Sequence, residues 1–319
     1  MRIVSLLPAT TEWVCAFGGQ DDLVGRSHEC DFPPGLEDVP VVTRATYQSA
    51  GDSAAIEDAV QHQLQQGLSL YEVDLERLRA LEPDLILTQA QCAVCAVSRP
   101  QLDDALADWT GAAPEIFSLE PSTFKEALDA ALRIGKAIGR MEAAMSFIAA
   151  QERRLRQLRD RLGIDRRTDP ETLPTVACVE WLEPLMTAGH WTPDLVEQAG
   201  GTSAGAEAGA RSARIDWADL RAADPDVLAI LPCGFSLQET ARDLHYLTER
   251  PGWDALRAVR EGRVVCFNGN AYFNRPGPRL YRSVELLAAA IHPDRAEVDV
   301  EEWEMQPLER VPAAPRRDS

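Results

Sequence analysis

A chain of 319 residues, 45% apolar and 26% charged, is long enough to bury one large core or two of ordinary size, and its composition is globular. Thirty-two basic residues against 51 acidic ones give a formal charge of −19, which excludes nucleic acid and an anionic membrane surface as expected partners. No run of about 18 apolar residues is present, so no membrane insertion is expected.

The first element is a strand, "RIVSLL", followed by Pro8–Glu12 as a helix N-terminus. "MRIVSLLPATTEW" enters this strand directly from Met1, without a basic region, an apolar core and a cleavage site. The expectation is a cytoplasmic protein, or a periplasmic one if a signal was trimmed. Seven cysteines, an odd number, suit a reducing compartment. A second strand, "LVG", leads into "RSHECDFPP", which carries Ser27, His28, Glu29 and Cys30. Residues 45–71 read as an insertion with a helical piece, "AAIEDAVQHQLQ", in which His62 is solvated.

"DLERLRALEPDLILT" (Asp74–Thr88) and "DWADLRAADPDVLAI" (Asp216–Ile230) match at a constant offset of 142. Each reads as a short helix ending before Pro and then a buried strand. Duplication of an α/β unit is the preferred reading. Cys92 and Cys95 follow the first copy. One CxxC is half of a tetrahedral zinc cage, which His28 and Cys30 would have to complete. The alternative is that the thiols line a pocket.

Thr123 and Glu126 fit a capping box. Gly139 ends a first helix, and Met141–Leu162 gives a 22-residue helix of about 33 Å. The expected domains are an α/β lobe over 1–139, a connecting helix over 140–164, a second α/β lobe over 165–292 and a loosely ordered tail over 293–319. The second lobe begins with "TVACV", followed by Glu180, Trp181, His190 and Trp191. "GGTSAGAEAGARS" (Gly200–Ser212) reads as a flexible loop. "VLAIL" leads to Pro232–Phe235, and "RVVCF" leads to "NGNAYFNRPGPR" with Tyr272 and Phe273. His245 lies in a charged, solvated stretch. Ligands of open parallel sheets sit beyond the carboxyl ends of the strands, and that is where these imidazoles, thiols and aromatic rings fall. No Walker loop, GxGxxG, G-x-S-x-G or HExxH occurs, so no catalytic residue is nominated and an enzyme is not expected.

Five stretches, taken together and in order, carry a resemblance: "RIVSLLPATTE", "VGRSHECDFPP", "LRALEPDLIL", "EPLMTAGHWTPDLVEQAGG" and "NAYFNRPGPRLYRSVELLAAAI". The chain resembles the class III (helical-backbone) substrate-binding proteins of ABC importers, and most of all their cobalamin-binding branch. The resemblance implies two α/β lobes with central, mainly parallel sheets, joined by one long rigid helix. It also implies non-catalytic binding of a corrinoid of the vitamin B12 type in the cleft between the lobes. Ser27, His28, Cys92, Cys95, Trp181, His190, Trp191, Tyr272 and Phe273 would meet the ligand. Other readings are haem or an iron–siderophore, and a zinc- or iron-binding protein using His28, Cys30, Cys92 and Cys95. The family's two surface glutamates meet arginines of a permease. Glu76 fits the first, but Ala218, beside Asp219, stands at the second. With the N-terminus, this weighs against a permease partner and for a cytosolic relative that keeps the pocket.

Overall fold

A computed structural model describes residues 1–47, 51–66, 69–89, 109, 113–165 and 167–311. The chain divides into two compact units, Met1–Ala50 with Ile56–Pro121 and Glu126–Ala149, and Gly51–Ala55 with Ser122–Lys125 and Ala150–Ser319.

In the first unit the elements are β1 (Ile3–Ser5), α1 (Pro8–Ala16), β2 (Leu23–Arg26), β3 (Thr43–Ala45), α2 (Ser53–Gln65), β4 (Tyr71–Val73), α3 (Leu75–Ala80), β5 (Leu85–Gln89), β6 (Glu115–Leu119) and α4 (Phe124–Ala137). The first few residues of α2 and α4 belong to the second unit. A parallel sheet runs in the order β2-β1-β5-β6. Strand β5 lies between two neighbours and is buried throughout, so its first three residues, Leu85–Leu87, are a continuous apolar run rather than an alternating one. One face of the sheet packs Val4 and Ile86 against Val42, Leu70 and Leu78. On α1, the fully buried Trp13 stacks on Phe17 at 5.5 Å and meets the edge of Phe147 at 5.9 Å. Strands β3 and β4 form an antiparallel pair at the two ends of the insertion.

Helix α5 (Met141–Leu162) is continuous over the 22 residues expected from the sequence. The division between the units falls inside it, after Ala149.

The second unit contains β7 (Thr175–Trp181), β8 (Met186–Thr187), α6 (Thr192–Gln198), β9 (Thr202–Ser203), β10 (Ala213–Arg214), α7 (Trp217–Ala223), β11 (Val227–Ile230), α8 (Leu237–Asp243), β12 (Val264–Phe267), α9 (Leu280–Ile291) and β13 (Met305–Pro307). Its sheet runs β10-β8-β7-β11-β12-β13, with β9 beside β7. Strands β7, β9, β11 and β12 are parallel, whereas β8, β10 and β13 join antiparallel. The fold is α/β with parallel central sheets.

The repeat is structural. Helices α3 and α7 occupy corresponding residues, as do β5 and β11. Glu82 and Asp224 both turn left-handed, at φ 41° and 38°, because the helix cannot run into the proline that follows. The next aspartate ties each copy to the neighbouring strand. Asp84 accepts the Arg2 N–H at 2.7 Å, and Asp226 accepts the Thr175 N–H at 2.8 Å.

Two expectations are corrected. Residues 200–212 are held rather than loose. Strand β9 pairs with β7, Gly209 N–H donates to the His190 carbonyl at 2.9 Å, and Ser212 Oγ accepts from Gly189 N–H at 3.1 Å. Gly189 lets its loop approach this segment closely, since a Cβ there would lie 2.5 Å from the Ala210 carbonyl oxygen. The tail is likewise built in through Val311, with β13 closing the sheet edge against β12. Residues 312–319 lie outside the described residues.

His292 ends α9 with its ring buried. Nε2–H donates to the Gly200 carbonyl at 2.9 Å, which leaves Nδ1 to accept from Arg295 at 3.0 Å. Burial, opposed by the Gly200 hydrogen bond and aided by Arg295 and Arg263, holds this imidazole below its ordinary value. The neutral ring is thus favoured by folding, and the unfolded chain binds the extra proton. Stability is therefore complete above about pH 6.5 and falls as pH drops from there through the folded value. His190 titrates in the same sense. Urea midpoints are expected to fall between pH 7 and pH 5, and His292→Gln is expected to flatten that slope. An unchanged slope in the variant contradicts the assignment.

Candidate functional site

In the first unit, β1 and β2 end side by side, and Ser27 N–H donates to the Ser5 carbonyl at 2.8 Å. Arg26 staples the loop that follows, donating to the carbonyls of Cys30 at 2.9 Å and Leu36 at 3.0 Å. His28 is thereby fixed at the strand end. Its backbone N–H and its Nδ1 both meet Thr43 Oγ1, at 3.0 and 2.7 Å, and its ring lies 5.5 Å from that of Tyr71. Nε2 stands 3.3 Å from Glu29 Oε1 without hydrogen-bond geometry. Cys30 points inward, its Sγ 3.0 Å from Thr11 Oγ1 in a buried hydroxyl network with Ser5 and Thr10.

Cys92 and Cys95, predicted for both the ligand surface and the metal set, lie outside the described residues. Among the described residues, no group of three or more His, Cys, Asp or Glu is placed to hold a metal ion. Cys178 and Cys266 are interior thiols pushed up to about 12 by burial, far from the thiolate a metal or a nucleophile needs.

In the second unit, the carboxyl ends of β7, β11 and β12 interlock. Cys233 N–H donates to the Glu180 carbonyl at 3.1 Å, and Asn270 N–H to that of Phe235 at 3.0 Å. Gly269 lets the loop after β12 touch the loop after β11, since any Cβ there would strike the Pro232 carbonyl. Trp181 meets Phe235 edge-on at 5.2 Å, and its indole N–H reaches the Ser53 carbonyl at 3.2 Å. Ser53 N–H is also held by Asp243. His190 is left-handed at φ 51°, with backbone bonds to Ala210 and Gly209 on either side. Its Nδ1 is buried without a partner. Burial, and then the charge of Arg211, keep the ring below the ordinary imidazole range, so it is a neutral base in a strained loop, a combination that functional sites concentrate.

Three of the predicted ligand residues are interior. The Trp191 indole donates to the Phe273 carbonyl, Phe273 packs edge-on against Phe267 at 5.1 Å, and the Tyr272 hydroxyl donates to Glu304 at 2.7 Å. Position after a strand brings a ring to the right end of the sheet, but it does not say whether the ring faces out or fills the layer beneath. Thr43, Tyr71, Ser53 and Glu304 escape sequence reasoning, because each meets its partner across a long sequence separation with no local motif. Glu76 and its counterparts Ala218 and Asp219 are exposed on α3 and α7.

A family model described as periplasmic binding protein matches residues 3–270. The chain belongs to the periplasmic binding protein family. Members of this family are substrate-binding proteins of ABC transporters rather than enzymes. An uncharacterized ABC transporter substrate-binding lipoprotein of Bacillus subtilis (strain 168), YvrC, is 22% identical over 305 residues, covering 92% of this chain and 80% of that one. A periplasmic haem-binding protein of Pseudomonas aeruginosa superposes with a TM-score of 0.66 at 22% identity, covering 92% of this chain and 93% of that one. The periplasmic vitamin B12 binding protein of Vibrio cholerae superposes with a TM-score of 0.60 at 22% identity, covering 93% and 98%. Among the described residues, no helix is long and apolar enough to cross a membrane.

Proposed function

We propose that this chain is a non-catalytic binder of a planar metal chelate, with a corrinoid as the first reading and haem as the second. The observation that carries it is the family match over residues 3–270, which takes in the carboxyl ends of the parallel strands in both units. Solved proteins of like fold bind vitamin B12 and haem, and the stretches resembling the cobalamin-binding branch include the strand-end segments at His28 and at His190–Trp191. Trp181 beside Phe235 supplies aromatic surface, and the two histidines supply nitrogen bases suited to a chelated metal. Docking to a permease is a separate, weaker reading, with Glu76 as its one matching glutamate.

Equilibrium dialysis against aquocobalamin, haemin and a ferric hydroxamate tests the proposal. Aquocobalamin is expected to be retained at about micromolar affinity or better, with Trp181→Ala weakening it about tenfold. Retention of none of the three at tens of micromolar rejects the function.

A further inference from the structure

Strand β13 runs antiparallel to β12 with Met305 opposite Phe267, so the turn before β13 lies at the carboxyl end of β12, the same end of the sheet at which Trp181 stands. Asn268, the first residue after β12, fixes that turn with two bonds. Its N–H donates to the Glu304 carbonyl at 2.8 Å, and its Nδ2 donates to the Trp303 carbonyl at 3.3 Å. The Glu304 carboxylate anchors the turn from within, through Arg282 and the Tyr272 hydroxyl. Among the described residues Trp303 is the one exposed tryptophan, at 55%, although its ring is stacked at 5.9 Å on the buried Tyr272. One face of the indole is thus seated on protein and the other is open to water. An aromatic ring held in this way meets a flat partner without first losing freedom of its own. The turn also carries Glu301 and Glu302, both exposed. Arg282 is bonded to Glu304 and Glu285, and Arg279 lies over the Tyr272 ring at 5.9 Å.

We infer that Trp303 stacks on the bound macrocycle as a second aromatic contact beside Trp181, and that Glu301 and Glu302 make this face select an amide-rimmed ring over one with acidic side chains. The inference rests on the proposed function and chooses between its two ligand readings. From β7, which Trp181 ends, to β13 is three strand spacings, or about 14 Å. That is comparable with the breadth of a tetrapyrrole ring, so one macrocycle spans both indoles. A corrin ring carries amides on its rim, which are neutral and donate hydrogen bonds to carboxylates. Haem carries two propionates, which the glutamates repel, and placing like charges together is how a binding face turns away the wrong partner. The family match ends at residue 270, so Trp303 and its two glutamates supply a specificity that family membership does not contain.

Hydroxyl-radical footprinting of the full chain, read residue by residue by mass spectrometry, tests the contact with cyanocobalamin, a neutral corrinoid, as the probe. Trp303 is expected to be oxidised in the free protein and protected at saturation, a readout that needs no variant to fold. In equilibrium dialysis Trp303→Ala should weaken cyanocobalamin binding about tenfold, and Trp303→Phe should recover most of the loss. The wild type should hold cyanocobalamin about tenfold more tightly than haemin, and a variant carrying both Glu301→Gln and Glu302→Gln should bring the two affinities close together. Four results overturn the inference while leaving the proposed function standing: Trp303 still oxidised in the cyanocobalamin complex, Trp303→Ala binding as tightly as the wild type, haemin held more tightly than cyanocobalamin, or an affinity ratio that the two glutamine substitutions do not move. Binding of neither chelate removes both.

Discussion

Truncating Glu304 to alanine is expected to lower the unfolding free energy by about 3–5 kcal/mol, the range for removing one partner of a buried ion pair. The Glu304 side chain is 5% exposed and accepts from Arg282 Nε at 2.9 Å, from Arg282 Nη2, from the Tyr272 hydroxyl at 2.7 Å and from the Glu301 N–H at 3.0 Å. Burial pushes its carboxyl up, but the donors from Arg282, Glu301 and Tyr272 outweigh it and hold the group below the ordinary range. Its contribution is therefore present above about pH 4.3 and is lost as pH falls through the folded value. Alanine leaves the buried Tyr272 hydroxyl without its acceptor and Arg282 with Glu285, at 3.0 Å, and the Asp299 carbonyl, at 2.6 Å. It also unpins the residues just before β13, so the closing strand should loosen first. Urea unfolding measures the loss, and the fluorescence of Trp303, stacked on Tyr272 at 5.9 Å, reports the strand. A loss below about 1 kcal/mol would place this cluster among surface ion pairs.

Trp13→Ala is expected to cost about 3–5 kcal/mol in the first unit, the usual range for deleting a buried aromatic side chain. The indole is fully buried on α1 between Phe17 and Phe147. Those two rings already meet edge-on at 6.1 Å, so they cannot close over a missing indole without leaving their own rotamers. Trp13→Phe keeps the edge-on contact and should recover most of the loss. Near-ultraviolet circular dichroism together with denaturant unfolding checks both variants. A Trp13→Ala protein as stable as the parent would mean that the layer beneath α1 is not close-packed.

The central strands were legible because parallel strands buried on both faces leave continuous apolar runs, as in Leu85–Leu87 and Val227–Ile230. The helices α3 and α7 were legible because a proline must stop them, and the constant offset between the copies identified the duplication. The short strands were not. Met186–Thr187, Ala213–Arg214 and Met305–Pro307 have no period of their own, and each exists only because a partner strand offers its backbone groups. Glycine content suggested mobility over residues 200–212, yet Gly200 and Gly201 are small because backbone and side chains pass close to them.

The same boundary runs through the candidate site. Residue type and position after a strand, which are local properties, nominated His28, Trp181 and His190 alongside Trp191, Tyr272 and Phe273. Burial depends on what lies on the far side of a ring, and this moved Trp191, Tyr272 and Phe273 into the interior. Local sequence therefore determined the central strands and the principal helices, their order, and which loops leave the carboxyl ends of the sheets. Only tertiary structure decided which of the predicted rings are buried and what each one meets, because those depend on Thr43, Glu304 and other partners brought in from distant parts of the chain.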